Sequence, residues 1–498
     1  MSQLLKTKSI DDLVAETHLE GKTLKRSLGP ISLIAFGIGA VIGAGIFTVT
    51  GTAAAGQHMS VGSAINAPLI DIILHGRTAA AAIGRPGAGP GLSLSFILVA
   101  ITCGFAALCY AELSSIIPTA GSAYTYAYTT MGEIFAWIIG WDLILEYAVS
   151  NMTVAVGFSA YFNVMCDYLF GAHLPKYLSE PAIVNLHFTG SIFNLPALLI
   201  VMALSWLLVR GVRESAGANN LIVLVKLAAI LLFVFGAAHA VKASNLHPFM
   251  PNGFPGVLTG AAIVFFTFIG FDSVSTAAEE CRRPQRDMPI GIIGTLVICA
   301  VLYTSVSLVL TGIVSWKTLD NAAPVANALA EIGMNKLRFT VTIGALLGMI
   351  SSLLVYQYGQ ARVWFAMSRD RLLPDMFCKV HKKHQTPHIS TWIAGLAVGI
   401  PAGLFDIATF ADISNIGTLF AFVVVSVGVL ILRRTQPDRP RPFRVPFSPW
   451  TPIISLCACL ALMLSLPSLA WMAFVLWLII GLAIYFGYSR HRSPLRGT

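Results

Sequence analysis

Two interrupted apolar runs hold the residues of this sequence best placed to do chemistry. The stretch AFGIGAVIGAGIF, Ala35 to Phe47, carries Gly37, Gly39, Gly43 and Gly45, and FFTFIGFDSVSTAAEE places Gly270 and Asp272 in the middle of a second run. Broken helices survive at membrane depth only where the freed N–H and C=O groups are buried in protein or line a cavity. Gly43 and Gly45 let the chain leave helical geometry on either side of Ala44 and let a ligand approach the backbone, while the second half-helix offers free N–H groups and a positive dipole end to a carboxylate. Carbonyls released at the ends of the first halves, near Val41 in one run and Phe266 and Ile269 in the other, suit an ammonium group. Together these groups form a site for the backbone of an α-amino acid. Gly39 and Gly43 alone are a GxxxG pair, a common device for close helix packing. The second interruption, at the corresponding position, turns the reading toward a ligand.

Ionisable residues inside apolar runs are the next chemistry to place, since each costs at least about 2.5 to 3.5 kcal/mol at the centre of a bilayer. Lys226, Glu146, Asp142, Asp272 and Glu112 are of this kind. Lys226, in LIVLVKLAAILLF, either snorkels to the surface or serves inside. Asp142 and Glu146 are four apart and share a helix face, as a bracing polar network or as part of a pocket. Asp272 is placed to pair across the broken region or to act in gating, and Glu112 lies nearer one end and reads as structural. All eleven histidines fall in tails, in loops or close to a span end, which excludes a histidine relay across the middle. Cys378, His381, His384 and His388 cluster in CKVHKKHQTPH, but Lys379, Lys382 and Lys383 would repel a cation, so the cluster reads as a solvated basic loop. The eight cysteines show no CxxC spacing, and neither disulfides nor a metal site are predicted. No nucleophile–base pair or ligand set falls at one depth, so neither an enzyme nor a cofactor is expected.

The elements that must position these groups are membrane helices. Of 498 residues, 56% are hydrophobic and 11% charged, with a mean hydropathy of +0.77, against about 25% charged in soluble domains. Apolar runs of membrane length recur about twelve times, which predicts an all-α membrane protein. The interrupted runs are the first and the sixth. This places two five-helix repeats, about 30–240 and 257–432, within a transmembrane domain of 30–488; because five is odd, the repeats must be inverted. Two extra helices follow at about 450–488, between a cytoplasmic arm of 1–29 and a tail of 489–498. The +9 net charge has a topological origin: 23 of the 32 Lys and Arg residues fall in the termini and alternate loops, against 7 in the loops of the other side. Both termini are therefore predicted to be cytoplasmic, with no role for nucleic acid.

GIGAVIGAGIF together with FIGFD resembles the amino acid-polyamine-organocation superfamily, from about Leu28 to the twelfth span. CYAELSSIIPTAGSAYTYAY, GWDLILEY, IVLVKLAAILLF and YGQARVWFAMSRDRLLP resemble its cationic amino acid transporter branch and bacterial relatives. The resemblance implies the inverted five-plus-five fold with discontinuous helices 1 and 6, and secondary active transport of amino acids across the plasma membrane by alternating access. It implies that Gly43, Ala44 and Gly45 receive the substrate carboxylate, that Val41, Phe266 and Ile269 offer carbonyls to its ammonium group, and that Glu146 lines the pocket. In proton-coupled relatives a lysine matching Lys226 reaches the first broken span, which makes Lys226 the proton-coupling candidate. Selectivity then falls to Phe266, Glu146 and Tyr356. Glu146 favours a basic substrate, slightly preferred here, whereas Tyr356 and Phe266 leave room for a small neutral one such as alanine. A non-transporting amino acid sensor would keep the same pocket. One departure stands out: between GTAAA and GPGLSLSF lie roughly thirty extra residues, an outward insertion at about 57–90 with Asp71, His75, Arg77 and Arg85, longer than ordinary connections and assigned no site.

Overall fold

The computed structural model describes residues 5–11, 28–57, 66–119, 121–184, 187–211, 216–381, 383–384 and 386–492. Most of the N-terminal arm, part of the insertion, Lys382 and the tail from 493 lie outside the described residues. The first span consists of α1 (Pro30–Val41) and α2 (Ala44–Ala55), bent by 50° at the two residues between them. The remaining spans are α5 (Leu92–Ile116), α7 (Glu133–Phe170), α8 (Leu195–Val209), α9 (Ala216–Ala237), α10 (Gly253–Val264) with its 3₁₀ continuation, α11 (Pro284–Ile313), α13 (Asn335–Arg369), α14 (His388–Leu404), α15 (Ile407–Thr435), α16 (Trp450–Leu464) and α17 (Ser468–Ile484). Eight of these are long and apolar enough to cross a bilayer, the bent first span makes nine, and α8, α14 and α16 are shorter apolar helices that complete twelve. The protein is an all-α, multi-span membrane protein.

The longest helices, α7 with 38 residues and α13 with 35, are the third and eighth spans. They are five spans apart, as the two interrupted spans are, in keeping with a repeat of five. They pack against each other, and α1 and α2 run between them and α11. The apolar stretch of α7 is 89% buried and that of α17 only 22%, so the core is built on the third span and the last helix faces lipid.

Short helices occur where apolar periodicity gives no signal: α6 (Ser122–Thr130) after the second span and α12 (Pro324–Glu331) after the seventh. Glu112 is structural, as its position suggests: Arg433 donates to both carboxylate oxygens and the Val445 N–H donates at 2.7 Å. Within the insertion, α3 (Leu69–His75) and α4 (Arg77–Ile83) are enclosed by a two-stranded clasp in which β1 (Gly56–Gln57) pairs antiparallel with β2 (Arg85–Pro86). The clasp returns the chain to its starting point, so the extra length does not displace the second span. The insertion also rests on the turn between α16 and α17, where the Leu69 N–H donates to Leu466 and that of Ser468 to Ala67. Described residues of the N-terminal arm lie against α6 and α7 instead: the Lys8 N–H donates to Tyr128, and the Glu133 N–H to Lys6.

Candidate functional site

The break in the first span follows from one misdirected hydrogen bond. A continuing helix would have the Gly43 N–H donate to Gly39, but it donates to Val41 at 3.0 Å, and Ile42 turns extended at ψ 90°. The carbonyls of Gly39 and Ile42 are thereby released. Lys226, fully buried on α9, takes both: its Nζ donates to Gly39 O at 2.6 Å and to Ile42 O at 2.9 Å. Ser352 on α13 adds a longer bond to Ile42 O at 3.4 Å, and the Tyr303 hydroxyl donates to Val41 O at 3.2 Å. On the far side of the break, α2 starts at Ala44 with no side-chain cap, so its first-turn N–H groups have no helical acceptor, and no side-chain acceptor is seen for them among the described residues.

The glycines serve this junction mainly by their size. Neither Gly43 nor Gly45 has a positive φ. A Cβ on Gly43 would lie 2.7 Å from Ser352 Oγ, and one on Gly45 would lie 2.9 Å from Thr267 Cα in the sixth span. Gly45 therefore fixes how closely the two interrupted spans approach. Ala44 lies between them with its Cβ toward Gly157 of α7.

In the sixth span, α10 passes into a 3₁₀ turn over Phe265–Phe268, Ile269 is extended, and Gly270 sits at φ +114° before ten residues of 3₁₀ helix, Phe271–Glu280. Only glycine holds such a φ without strain. A Cβ at Gly270 would in addition lie 3.2 Å from the Ala40 carbonyl carbon, so the two breaks touch each other. The second half is 3₁₀ rather than the α-helix expected; two of its three Ser and Thr hydroxyls bond back to carbonyls three residues earlier, Ser273 to Gly270 and Thr276 to Ser273, while Ser275 donates to the Ser122 hydroxyl. The Tyr356 hydroxyl donates to Ile269 O at 3.4 Å, while Phe266 O accepts the Ile269 N–H.

The structure thus brings Val41, Gly43, Ala44, Gly45, Lys226, Phe266, Ile269, Gly270 and Tyr356 to one place. Glu146 is buried beside Thr418 and within electrostatic reach of Asp272 and Asp142, and its Oε2 has no hydrogen-bond partner among the described residues. The rings of Tyr147 and Tyr356 stand beside it, 6.2 Å apart. Asp272 is buried in the first turn of the 3₁₀ segment, within electrostatic reach of Glu146. Asp142 lies away from the breaks, its Oδ1 2.8 Å from where a Cβ on Gly417 would be, with both oxygens lacking a described partner. Tyr303, Ser352 and Thr267 belong to the site and were not singled out from the sequence; nothing in their local stretches distinguishes them from packing residues. In the basic loop, His381 Nδ1 accepts the N–H groups of Lys383 and His384, which removes that nitrogen as a ligand.

Two interrupted helices in contact at mid-span, with uncapped N–H groups on one side and lysine-bound carbonyls on the other, define the architecture of a membrane carrier. The chain belongs to the amino acid permease family, whose model matches residues 28–487. It is 45% identical to a branched-chain amino acid permease, BcaP, of Bacillus subtilis (strain 168) over 99% of both chains, and 43% identical to a methylthioribose transporter of the same organism over 99% of this chain and all of the other. A vacuolar cationic amino acid transporter 2 of Arabidopsis thaliana is 36% identical, over 87% of this chain and 64% of its own. These are permeases and transporters, not enzymes, and amino acid transport is the activity of the family.

Proposed function

We propose that this protein carries an α-amino acid into the cell by alternating access, coupled to protons, with both termini in the cytoplasm of the plasma membrane, or of the inner membrane in a bacterium. The observation that carries this reading is the position of Lys226 Nζ on the two carbonyls released where the first span breaks. An ammonium group there holds the broken conformation by charge-assisted bonds, and losing its proton weakens that hold, so protonation and the shape of the site are linked. The substrate carboxylate takes the free N–H groups at the start of α2 around Gly43, Ala44 and Gly45. Its ammonium takes the carbonyls of Val41, Phe266 and Ile269. Two of these three already accept phenols, from Tyr303 and Tyr356, bonds long enough to yield to a charged donor.

For the side chain, the relatives shift the weight from the basic substrate favoured on sequence grounds toward a neutral, branched one. Phe266 with the Tyr147 and Tyr356 rings supplies an apolar wall for it. Glu146 supports the second reading, a basic substrate, because its Oε2 lacks a described partner and a cationic side chain would supply one. Competition of leucine and arginine for labelled uptake decides between them, in the parent and in Glu146→Gln. The proposal expects leucine to compete at least about tenfold better in the parent, near 1.4 kcal/mol of discrimination. Arginine competing better in the parent and losing that advantage in Glu146→Gln would instead establish the basic reading.

A further inference from the structure

Arg85, at the end of the insertion, is 3% exposed and bound end to end with Asp412 in the second turn of α15. Arg85 Nη1 donates to Asp412 Oδ2 at 2.6 Å and Nη2 to Oδ1 at 3.0 Å, and Nη1 also donates to Gln57 Oε1 at 2.9 Å across the clasp. Two small cavities adjoin the pair. One is lined by Asn66, Thr409, Pro467 and Leu469, at the end of the molecule away from the termini. The other is lined by Val49 and Thr52 of α2, Ile263 of α10, and Ile407 and Ala411 of α15, and so touches the outer half of both interrupted spans. Gln57, Arg85 and Asp412 line both cavities, so the ion pair borders each of them.

We propose that Arg85 and Asp412 form the outward gate of the substrate path, and that presenting Arg85 to this gate is what the insertion does. Resting on the carrier reading above, the proposal accounts for a buried ion pair kept where an apolar pair would pack as well: its energy depends on geometry and is lost when α15 and the clasp separate. An amino acid head group carries the same two charges as the pair, so an entering substrate leaves neither Arg85 nor Asp412 unpaired. Arg85 Nε, buried without a partner among the described residues, is a further donor for an arriving carboxylate.

The test places a cysteine at the buried Val49 of α2, behind the ion pair in this proposal, and measures its rate of labelling by a membrane-impermeant thiol reagent added from the insertion side to oriented proteoliposomes without cargo. Labelling of the native cysteines is subtracted. Arg85→Ala and Asp412→Asn are expected to raise the rate by at least about tenfold, a decade in the open-to-closed ratio. The charge-exchanged pair, Arg85→Asp with Asp412→Arg, is expected to return it most of the way to the parent rate. Should a single variant fail to give a monodisperse protein, Arg85→Gln with Asp412→Asn removes both charges while keeping the volume, and the same rise is expected. Unchanged labelling in that double variant, or a charge-exchanged protein as open as the single variants, overturns the gate. Because no cargo is present, amino acid exchange with unchanged labelling refutes the gate alone, whereas the predicted labelling with no amino acid exchanged refutes the carrier reading and leaves the gate standing.

Discussion

Replacing Lys226 with methionine keeps most of the side-chain volume on α9 and removes the charged donor. Two charge-assisted bonds to Gly39 O and Ile42 O are lost. At about 1.5 to 3 kcal/mol each, they stabilise the broken conformation by about 3 to 6 kcal/mol. Ser352 still reaches Ile42 O, so the lower end applies, whereas for Gly39 O no other donor is seen among the described residues. About 3 kcal/mol is more than a hundredfold in the balance between conformations that do and do not hold this geometry. The assay is amino acid accumulation driven by an imposed pH gradient in proteoliposomes, with counterflow at equal pH as control. Lys226→Met should lose at least about a hundredfold of gradient-driven accumulation, and lose less of the counterflow, which needs no net proton movement. Undiminished accumulation, or strict sodium dependence of the parent, would refute the reasoning and remove Lys226 from the mechanism.

Gly43→Ala drives a methyl into Ser352 Oγ, an overpacking cost of about 1 to 3 kcal/mol that should lower thermal stability and transport together, and Ser352→Gly in the same chain should restore both. Gly45→Ala should not be fully rescued by trimming Thr267, because its Cα, as close at 2.9 Å as its Cγ2, remains; full recovery of transport in Gly45→Ala with Thr267→Gly would show that the two spans are not held this closely. A cysteine replacing the exposed His75 should label only from outside intact cells, and labelling only from the cytoplasm would invert the proposed topology.

The breaks were legible because closely spaced glycines weaken a helix and a lone carboxylate in an apolar run is costly in lipid, so both point to a place where the chain opens. The spans were legible from hydropathy. The role of Gly43 and Gly45 was read only in part: from sequence they free the backbone for a ligand, whereas what first requires them is the close passage of Ser352 and Thr267. Such contacts depend on helices hundreds of residues apart, which local pattern does not register. The same holds for Tyr303 on Val41 and for Arg85, whose partner Asp412 is 327 residues away. Lys226 could be placed in the membrane from its neighbours, and its reach to the first broken span came through family resemblance, whereas its acceptors, Gly39 O and Ile42 O, are seen only in the structure. The 3₁₀ course of Phe271–Glu280 was missed because hydropathy does not weigh serine and threonine hydroxyls that compete for the backbone.

The central claim, that the paired breaks hold and carry the backbone of an α-amino acid, is tested most directly by counterflow of labelled leucine in proteoliposomes against leucine, its decarboxylated amine, its deaminated acid and methylthioribose. The account predicts that leucine trapped inside draws labelled leucine in, and that neither one-charge analogue nor methylthioribose does so. Leucine that binds without exchanging would make the protein a sensor, and exchange of methylthioribose with no α-amino acid exchanged would contradict the account at its core.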